Sequence, residues 1–238
     1  MEKPKIFKSK IKSIEKLNNS ITEVVLDLKK KDFVFYPGQY VRLIIPSIEE
    51  KNPGDSTRDF TISSSPTNSH HLSFSISNSD TQFKKKIMSE VGLKVLIHGP
   101  FGIMYLPKDY RKSIVFIAGG TGVTPALSMM RYIRDKKTSH KFTLIYSTDD
   151  PEEIIYRDEL DKMNKDNPNL DVVYNIGEIK TKYIKKEVDF ENNSLWYICG
   201  SPEMVKSTMD NIIDDFGVNH ENIRIVEYTG LYKKDLQY

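Results

Sequence analysis

The hydrophobic pattern changes its period near the middle of the chain. The first half contains short segments rich in β-branched and aromatic side chains and bounded by polar clusters, which is typical of strands. These segments are residues 20–28, 39–45, 60–63 and 72–77. In the last segment Leu72, Phe74 and Ile76 alternate with serines, the period of a half-buried strand. With Pro-Gly and Gly-Pro turns between the strands, the pattern predicts a small antiparallel barrel interrupted by one helix at residues 81–89.

After residue 107 the pattern predicts alternating strands and helices. The continuous apolar run at residues 113–118 is typical of a strand buried on both faces. The other strands are predicted at residues 142–147, 170–175, 195–199 and 222–227. Helices are predicted at residues 125–135, 152–164, 181–186 and 202–216. This alternation predicts a parallel sheet covered by helices, so the break between the two halves falls near residues 106–111.

Composition excludes several classes of protein. A length of 238 residues fits one large domain or two small ones. The formal net charge of +2 argues against a dedicated nucleic-acid binder. The single cysteine, Cys199, excludes a disulfide framework, a cysteine-based zinc site and an iron–sulfur cluster held within the chain. No spacing of the five histidines suggests a metal site, so we expect no metal and place the histidines on the solvated surface.

The N-terminal segment and the charge distribution bear on location and partners. The first ten residues carry charges throughout and lack an apolar run, and no run of 18 apolar residues occurs in the sequence. We therefore expect a cytoplasmic protein without a membrane span.

The short lysine runs at 29–31 and 84–86 are interpreted as solvated surface. Residues 1–110 carry 17 Lys+Arg and 12 Asp+Glu, whereas residues 111–238 carry 18 and 21. This difference fits either ordinary surface variation or a basic barrel face that docks an acidic electron carrier.

A glycine-rich turn follows the first buried strand and opens a helix. Glycines allow a tight turn and a close approach to a ligand, and a helix start offers unpaired N–H groups and the positive end of its dipole. Thr124 is expected to cap the helix, with Pro125 at its first position. The predicted ligand is a pyrophosphate. Because the sequence of the turn departs from the dinucleotide-binding pattern Gly-x-Gly-x-x-Gly, a turn that binds no ligand is the alternative. The candidate binding residues are Gly119, Gly120, Thr121, Gly122, Thr124 and Pro125.

Two other strand ends are expected beside this turn, because ligands of open parallel sheets bind beyond the carboxyl ends of the strands. One carries Cys199, Gly200, Ser201 and Pro202. We expect Cys199 at the rim of the cleft, or else as a small buried side chain of the core.

The other strand end is expected to meet the ribose of the nucleotide. It carries Ser147, Asp149 and Asp150. An acidic residue repels a 2′-phosphate and can bond a free 2′-hydroxyl, so Asp149 and Asp150, with no basic residue before Arg157, favour NADH over NADPH. The alternative is that both aspartates only cap the helix beginning near residue 151.

One strand of the first half carries side chains suited to a nucleotide-like ligand. Arg58 offers a planar fork for phosphate, Phe60 a plane for stacking and Thr61 a hydroxyl for a heterocycle nitrogen. From these side chains alone, an exposed edge strand with a surface arginine is the favoured interpretation.

Five motifs, in this order along nearly the whole chain, resemble the ferredoxin–NADP reductase superfamily of flavoprotein oxidoreductases. Each motif alone is weak, and the order makes the resemblance specific. The motifs are a Pro-Gly-Gln strand start at 37–39, an Arg-x-Tyr-Ser/Thr-like flavin motif at 58–61, Gly-Pro-x-Gly at 99–102, Gly-Gly-x-Gly-x-Thr-Pro at 119–125 and Cys-Gly-x-Pro at 199–202.

The resemblance implies a two-domain protein. An antiparallel six-stranded β-barrel over residues 1–107 would bind FAD, and an α/β parallel-sheet domain over residues 108–238 would bind the nicotinamide nucleotide. It implies a flavoprotein reductase that passes hydride from NAD(P)H, with NADH favoured, to FAD, and then electrons to a separate acceptor such as an acidic ferredoxin. Two alternatives stay open: an electron-relay subunit of a larger redox complex with little reductase activity of its own, and a nucleotide-binding module without redox function.

The resemblance also implies roles for single residues. Arg58 would hold a flavin phosphate, Phe60 would pack on the flavin and Thr61 would bond its N5. Thr61, Cys199 and Glu227 are the implied catalytic residues, Cys199 beside the nicotinamide and Glu227 as a proton relay. Further flavin contacts are implied at Ile76, Ser77, Thr81, Gln82 and Phe83.

Two departures from the family pattern lie in the flavin-binding half. Phe60 stands where the family usually has tyrosine. The usual glycine-rich phosphate turn is replaced by residues 79–84, where we expect Asp80 to cap the following helix. The altered turn leaves FMN open as an alternative to FAD.

Overall fold

The computed structural model describes residues 3–29, 33–49, 53–109, 111–179, 184 and 194–227, which fold around two β-sheets. A short helix α1 (Pro46–Glu49) and a helix α2 (Gln82–Ile87) accompany the first sheet. The strands of that sheet are β1 (Lys5–Lys16), β2 (Ile21–Asp27), β3 (Tyr40–Ile44), β4 (Thr57–Thr61), β5 (His71–Ser77) and β6 (Lys94–Phe101).

The first sheet is a nearly closed antiparallel barrel. Its strand order is β4-β3-β6-β1-β2-β5, and every neighbouring pair is antiparallel. Just beyond β4 the Ser63 N–H donates to the Ser73 carbonyl of β5 at 2.8 Å, and the two serine hydroxyls are hydrogen-bonded at 2.9 Å. Phe83 and Ile87 of α2 pack into the apolar interior, so this helix contributes to the barrel core.

The second sheet is parallel and covered by helices on both faces. Its elements are β7 (Ile114–Gly119), α3 (Val123–Lys136), β8 (Phe142–Thr148), α4 (Arg157–Asp166), β9 (Leu170–Ile176), β10 (Leu195–Gly200), α5 (Pro202–Phe216) and β11 (Ile223–Glu227). The strand order is β11-β10-β7-β8-β9. Alternate residues of β7 belong to two separate cores: Phe116 packs with α3 and α4 side chains, and Ile117 packs with those of α5. This explains the continuous apolar run.

The predicted fold class is confirmed, and several element predictions are wrong in detail. The strands β1 and β6 were not predicted, and Gly99-Pro100, expected as a turn between strands, lies within β6. The flavin-motif strand begins at Thr57 rather than residue 60. The helix predicted at 152–164 is split into a 3₁₀ turn at Pro151–Glu153 and the helix α4.

Two further features concern the helices. Apart from residue 184, the helix predicted at 181–186 lies outside the described residues. Within the described ranges, none of the helices combines the length and the apolar character needed to cross a membrane.

His140 is buried, in contrast to the solvated position expected from the sequence. Only 2% of the residue is exposed, and its two ring nitrogens lie 2.8 Å from the Thr138 hydroxyl and 2.9 Å from the Pro107 carbonyl. Because the Pro107 carbonyl is an acceptor, Nε2 carries a proton, and the neutral ring satisfies both contacts. Burial lowers the pKa of His140 below its ordinary value.

The burial of His140 predicts acid sensitivity. A folded-state pKa below the unfolded value means that the unfolded chain binds more protons. The stability is therefore fully present above the unfolded pKa of about 6.5 and is lost as the pH falls from there through the lower folded-state pKa. We expect His140→Gln to lower the melting temperature at pH 7.5 but to reduce its further decline towards pH 5.5. Thermal unfolding monitored by circular dichroism at both pH values measures this difference. His220→Gln, which alters an exposed histidine, should follow the wild type; equal slopes for all three proteins would contradict the prediction.

Candidate functional site

The flavin-motif strand β4 directs two of the predicted residues to one face. Arg58 and Phe60 are opposite Leu43 and Val41 of β3, both of which belong to the barrel core. The Phe60 ring stacks on Phe83 of α2 with centroids 5.9 Å apart, and the Arg58 guanidinium lies 5.8 Å from the Phe83 centroid. Phe83 therefore connects β4 to α2. It also covers part of the Phe60 ring, which the sequence predicts to pack on a flavin.

Two cations lie close together beside Phe83. Arg58 donates to the Asp55 carboxylate at 3.1 Å and to the Thr57 carbonyl at 2.7 Å. The Lys84 ammonium is half-buried and donates to the Ser77 hydroxyl at 2.7 Å. Burial, with a smaller contribution from the Arg58 charge, lowers the pKa of Lys84. Two cations with one nearby carboxylate create a positive site suited to an anionic group.

The solvated-surface interpretation of residues 84–86 does not hold for Lys84. No local signal separates this lysine from its neighbours, because all three lie in the last turn of the six-residue helix α2, where cations are favourable. The half-buried position of Lys84 corrects the surface interpretation for this residue; its neighbour Lys85 is exposed, as expected.

The other residues predicted around α2 have different environments. Thr81, and not Asp80, caps the helix: its side chain accepts from the Lys84 N–H at 3.4 Å. Asp80 forms an exposed ion pair with Lys85 at 3.0 Å, so the cap expected at Asp80 is wrong. Ile76 is fully buried in the barrel core and Gln82 is exposed.

Thr61 is the last residue of β4, and it is partly exposed. It pairs with Tyr40 of β3, whose ring packs against Phe101. After Thr61 the chain still bonds β5 through Ser63, and it meets the α/β domain at Ser64, whose carbonyl accepts from Ser128 of α3 at 2.8 Å. Thr61 therefore lies near the junction of the two domains.

The glycine turn is fixed by contact with the end of β10. A Cβ on Gly122 would lie 2.1 Å from the Cys199 carbonyl oxygen, and one on Gly119 would lie 2.4 Å from the sulfur of Met204. Gly120 has a left-handed φ of +52° and open space around its Cβ position. The turn thus packs tightly on its inner side and is open on the other, which suits the approach of a ligand to the backbone.

The helix α3 begins earlier than predicted. Its first residue is Val123, and the cap residue Gly122 makes no side-chain bond. Thr124 is the second helical residue and donates its hydroxyl to the Thr121 carbonyl at 2.6 Å, and Pro125 is the third. The expected cap at Thr124 and the expected first position for Pro125 are therefore wrong. The hydroxyl of Thr124 instead stabilises the turn from inside.

The end of β10 lies against the glycine turn, but the Cys199 thiol does not reach the surface. Cys199 has no exposed area and belongs to the core that contains Ala118. Gly200 faces Gly119, since a Cβ on Gly200 would lie only 3.6 Å from the Gly119 Cα. Ser201 caps α5 by accepting from the Met204 N–H at 3.3 Å, and Pro202 is the first residue of that helix.

The end of β8 is ordered by its own hydrogen bonds. Ser147 donates to the Gly177 carbonyl at 2.6 Å and accepts from the Asn175 amide at 3.0 Å. Asp150 caps the following 3₁₀ turn by accepting from the Glu152 N–H at 2.9 Å, so the capping alternative holds for this aspartate. Asp149 is exposed beside it.

Glu227, the third implied catalytic residue, is the last residue of β11. Its backbone pairs in register with Gly200, so it ends beside the same edge of the sheet. Its side chain lies outside the described part of the structure.

Comparison with known proteins gives matches to both halves of the chain. A family model described as an oxidoreductase NAD-binding domain matches residues 116–210. The ferredoxin-NADP+ reductase of Plasmodium falciparum has the same fold: 94% of this chain and 96% of that chain superpose with a TM-score of 0.76 and 21% identity. The chain has the two-domain fold of the ferredoxin–NADP reductase superfamily. A cytochrome P450 reductase from Amycolatopsis matches with a TM-score of 0.81 and 17% identity, over 94% of this chain and 70% of that one.

The curated relatives that the chain matches are longer proteins. Methane monooxygenase component C of Methylosinus trichosporium is 30% identical over 172 residues, which are 69% of this chain and 48% of the relative. The toluate 1,2-dioxygenase electron transfer component of Pseudomonas putida is 26% identical over 227 residues, 87% of this chain and 63% of the relative. One subunit of the Na(+)-translocating NADH-quinone reductase of Idiomarina loihiensis is 29% identical over 159 residues, 58% of this chain and 38% of the relative. The chain thus spans about half the length of these relatives.

The packing of the glycine turn predicts a strong effect of a single methyl group. Gly122→Ala should lower the free energy of unfolding by about 3 kcal/mol, because its Cβ would meet a backbone carbonyl that cannot move aside as a flexible side chain would. Urea unfolding followed by tryptophan fluorescence measures the loss. Gly217→Ala is the control: its φ is +64° but its surroundings are open, so we expect a loss of only about 1 kcal/mol. Equal losses for both variants would contradict tight packing at Gly122.

Proposed function

We propose that this chain is an FAD-dependent NAD(P)H reductase that passes hydride from NADH to FAD and then electrons to a separate acceptor such as ferredoxin. Residues 1–107 form the proposed FAD domain and residues 108–238 the NAD(P) domain. The observation that carries the proposal is the two-domain fold itself, in which the end of the flavin-motif strand approaches the helix that follows the nucleotide turn. The cytoplasmic location stays a prediction.

The residues beside α2 fit the phosphates of a flavin nucleotide. Lys84 is a half-buried cation, and among the described residues no carboxylate forms an ion pair with it. Arg58 lies beside it, with 16% of its side chain exposed. A diphosphate would replace the missing negative charge and accept hydrogen bonds from both side chains, which supports FAD in preference to FMN. Phe60 and Thr61 would then contact the isoalloxazine ring.

The nucleotide turn and the neighbouring strand ends fit the hydride donor. The open side of Gly120 and Thr121 would receive its pyrophosphate, and Asp149 would accept a bond from a free 2′-hydroxyl, which favours NADH. Bound FAD supplies the hydride acceptor, and the protein contributes proximity and orientation. We further propose that Thr61 donates to the flavin N5 and that Glu227 exchanges a proton at this edge. Cys199, whose thiol is buried, would support the nicotinamide from within the core.

The acceptor is proposed to be a separate protein. The relatives named as an electron transfer component and a monooxygenase component support delivery of electrons to a partner. The net charge of residues 1–110, 17 positive against 12 negative side chains, supports an acidic partner. The relative that is named as one subunit of a quinone reductase supports the second candidate, an electron-relay subunit.

The proposed reaction is tested with purified protein. We expect it to be yellow, to release FAD on denaturation and to be bleached under anaerobic conditions by NADH faster than by NADPH. Absorbance measures the colour and the bleaching, and chromatography of the released flavin distinguishes FAD from FMN. A colourless protein that takes up no flavin would refute the reductase, and a yellow protein that NADH does not bleach would favour the relay subunit. Faster bleaching by NADPH would overturn the proposed role of Asp149.

The flavin site makes a separate prediction about two adjacent lysines. Lys84→Gln should weaken FAD binding roughly tenfold, equivalent to about 1.4 kcal/mol, because it removes a half-buried cation from the phosphate site. Lys85→Gln removes the same charge from an exposed position paired with Asp80 and should change the affinity by less than about twofold. Titration of the flavin-free variants with FAD, followed by fluorescence, compares them. Equal weakening by both substitutions would indicate a general charge effect and contradict the assigned site.

A further inference from the structure

A polar cleft lies between the barrel and the α/β domain. Its volume is about 570 Å³, and residues of both domains line it, among them Glu23, Ser65, Arg131 and Glu159. Several hydrogen bonds cross between the domains at or beside this cleft. They involve side chains that neither the flavin site nor the nucleotide turn uses.

Tyr156 bonds two strands of the barrel from the α/β domain. Its hydroxyl donates to Glu23 Oε1 at 2.8 Å and lies 2.9 Å from the Ser75 hydroxyl. Glu23 of β2 and Ser75 of β5 are register partners, so one hydroxyl contacts two adjacent strands. Tyr156 has a left-handed φ of 58°, which is uncommon for a bulky residue and persists when the surrounding contacts over-determine it. Burial and the Glu23 charge raise the pKa of Tyr156, so its hydroxyl stays protonated and remains a donor.

Arg131 of α3 extends the same network towards the flavin-motif strand. Its Nη1 donates to the Ser63 carbonyl at 3.0 Å, and its Nε and Nη2 bind the Glu159 carboxylate at 2.9 and 2.6 Å. The guanidinium also lies 5.1 Å from the centroid of the Tyr156 ring. Ser128, about one turn earlier on α3, donates to the Ser64 carbonyl at 2.8 Å.

These bonds connect the two ends of the proposed hydride path. Ser63 and Ser64 lie two and three residues after Thr61, and α3 begins directly after the turn at Gly120–Gly122. A helix is stiff over this length, so fixing Arg131 and Ser128 against the barrel also fixes the turn relative to Thr61. Hydride transfer depends steeply on the separation and alignment of donor and acceptor.

We propose that Tyr156 and Arg131 are positioning residues that hold the nicotinamide and flavin sites at the reacting distance. The proposal rests on the proposed reductase function. Neither side chain needs to touch a cofactor. Arg131 holds the end of β4 against α3, and Tyr156 holds β2 and β5 against the α/β domain while its ring packs against Arg131.

A matched pair of variants tests the positioning role. Tyr156→Phe keeps the ring beneath Arg131 and removes only the hydroxyl. Tyr174→Phe is the control, because the Tyr174 ring lies 5.0 Å from the Arg157 guanidinium and its hydroxyl donates to Asp161 at 2.6 Å, all within the α/β domain. For Tyr156→Phe we expect anaerobic flavin reduction at saturating NADH to slow roughly tenfold, with the dissociation constant of NADH changed by less than about twofold and a weaker nicotinamide–flavin charge-transfer absorbance. Tyr174→Phe should match the wild type.

A second measurement needs no cofactor, and it also shows whether each variant is folded. Amide hydrogen exchange of the flavin-free protein should be roughly fivefold faster at residues 63–68 in Tyr156→Phe than in Tyr174→Phe. Glu23→Gln, which keeps an acceptor but removes the charge, should give intermediate exchange and reduction rates.

The outcomes separate the two proposals. If the wild type neither binds FAD nor is reduced by NADH, the proposed function fails and the positioning role fails with it. If the wild type is reduced, and Tyr156→Phe and Tyr174→Phe share its rate, charge-transfer absorbance and exchange, only the positioning role is overturned.

Discussion

The contact between the glycine turn and the end of β10 is the constraint on which the rest of the site depends. No side chain fits on Gly122, whose Cβ position is 2.1 Å from the Cys199 carbonyl, whereas Gly119 and Gly200 are crowded by the flexible side chain of Met204. This contact sets where α3 starts. The direction of α3 then determines where Arg131 meets the barrel. The packing of the glycine turn therefore affects the position of the flavin-motif strand through α3.

The sequence predicts the fold where local and tertiary preferences agree. The bounds of α5 were predicted correctly because Ser201 and Pro202 supply a cap and a first residue, and Gly217 a left-handed end. The strand β6 was missed because Gly99-Pro100 is a turn signal, whereas pairing with β1 and β3 keeps this segment extended. The strand β1 was missed because its pattern is dominated by exposed lysines and its only fully buried large side chain is Ile11. In both strands tertiary pairing overrides the local signal.

The motifs of the candidate site can be predicted from the sequence, whereas the contacts between their side chains largely cannot. The glycine turn and the Cys-Gly-Ser-Pro segment come together as parallel topology requires. Which hydroxyl or carboxylate caps a helix was not predictable, since Asp80 and Thr81 are adjacent and equally suited by type. Lys84 and Lys85 differ only in the direction in which their side chains leave α2. The sequence does not predict these directions, because so short a helix does not show which of its faces is buried.

Ser63 uses every polar group it has. Its N–H closes the barrel at Ser73, its hydroxyl bonds the Ser73 hydroxyl and its carbonyl accepts from Arg131. The residue is fully buried, so water cannot replace a lost partner without the structure opening. Barrel closure and domain docking therefore share one residue, and the loss of either contact leaves a buried polar group of Ser63 without its partner.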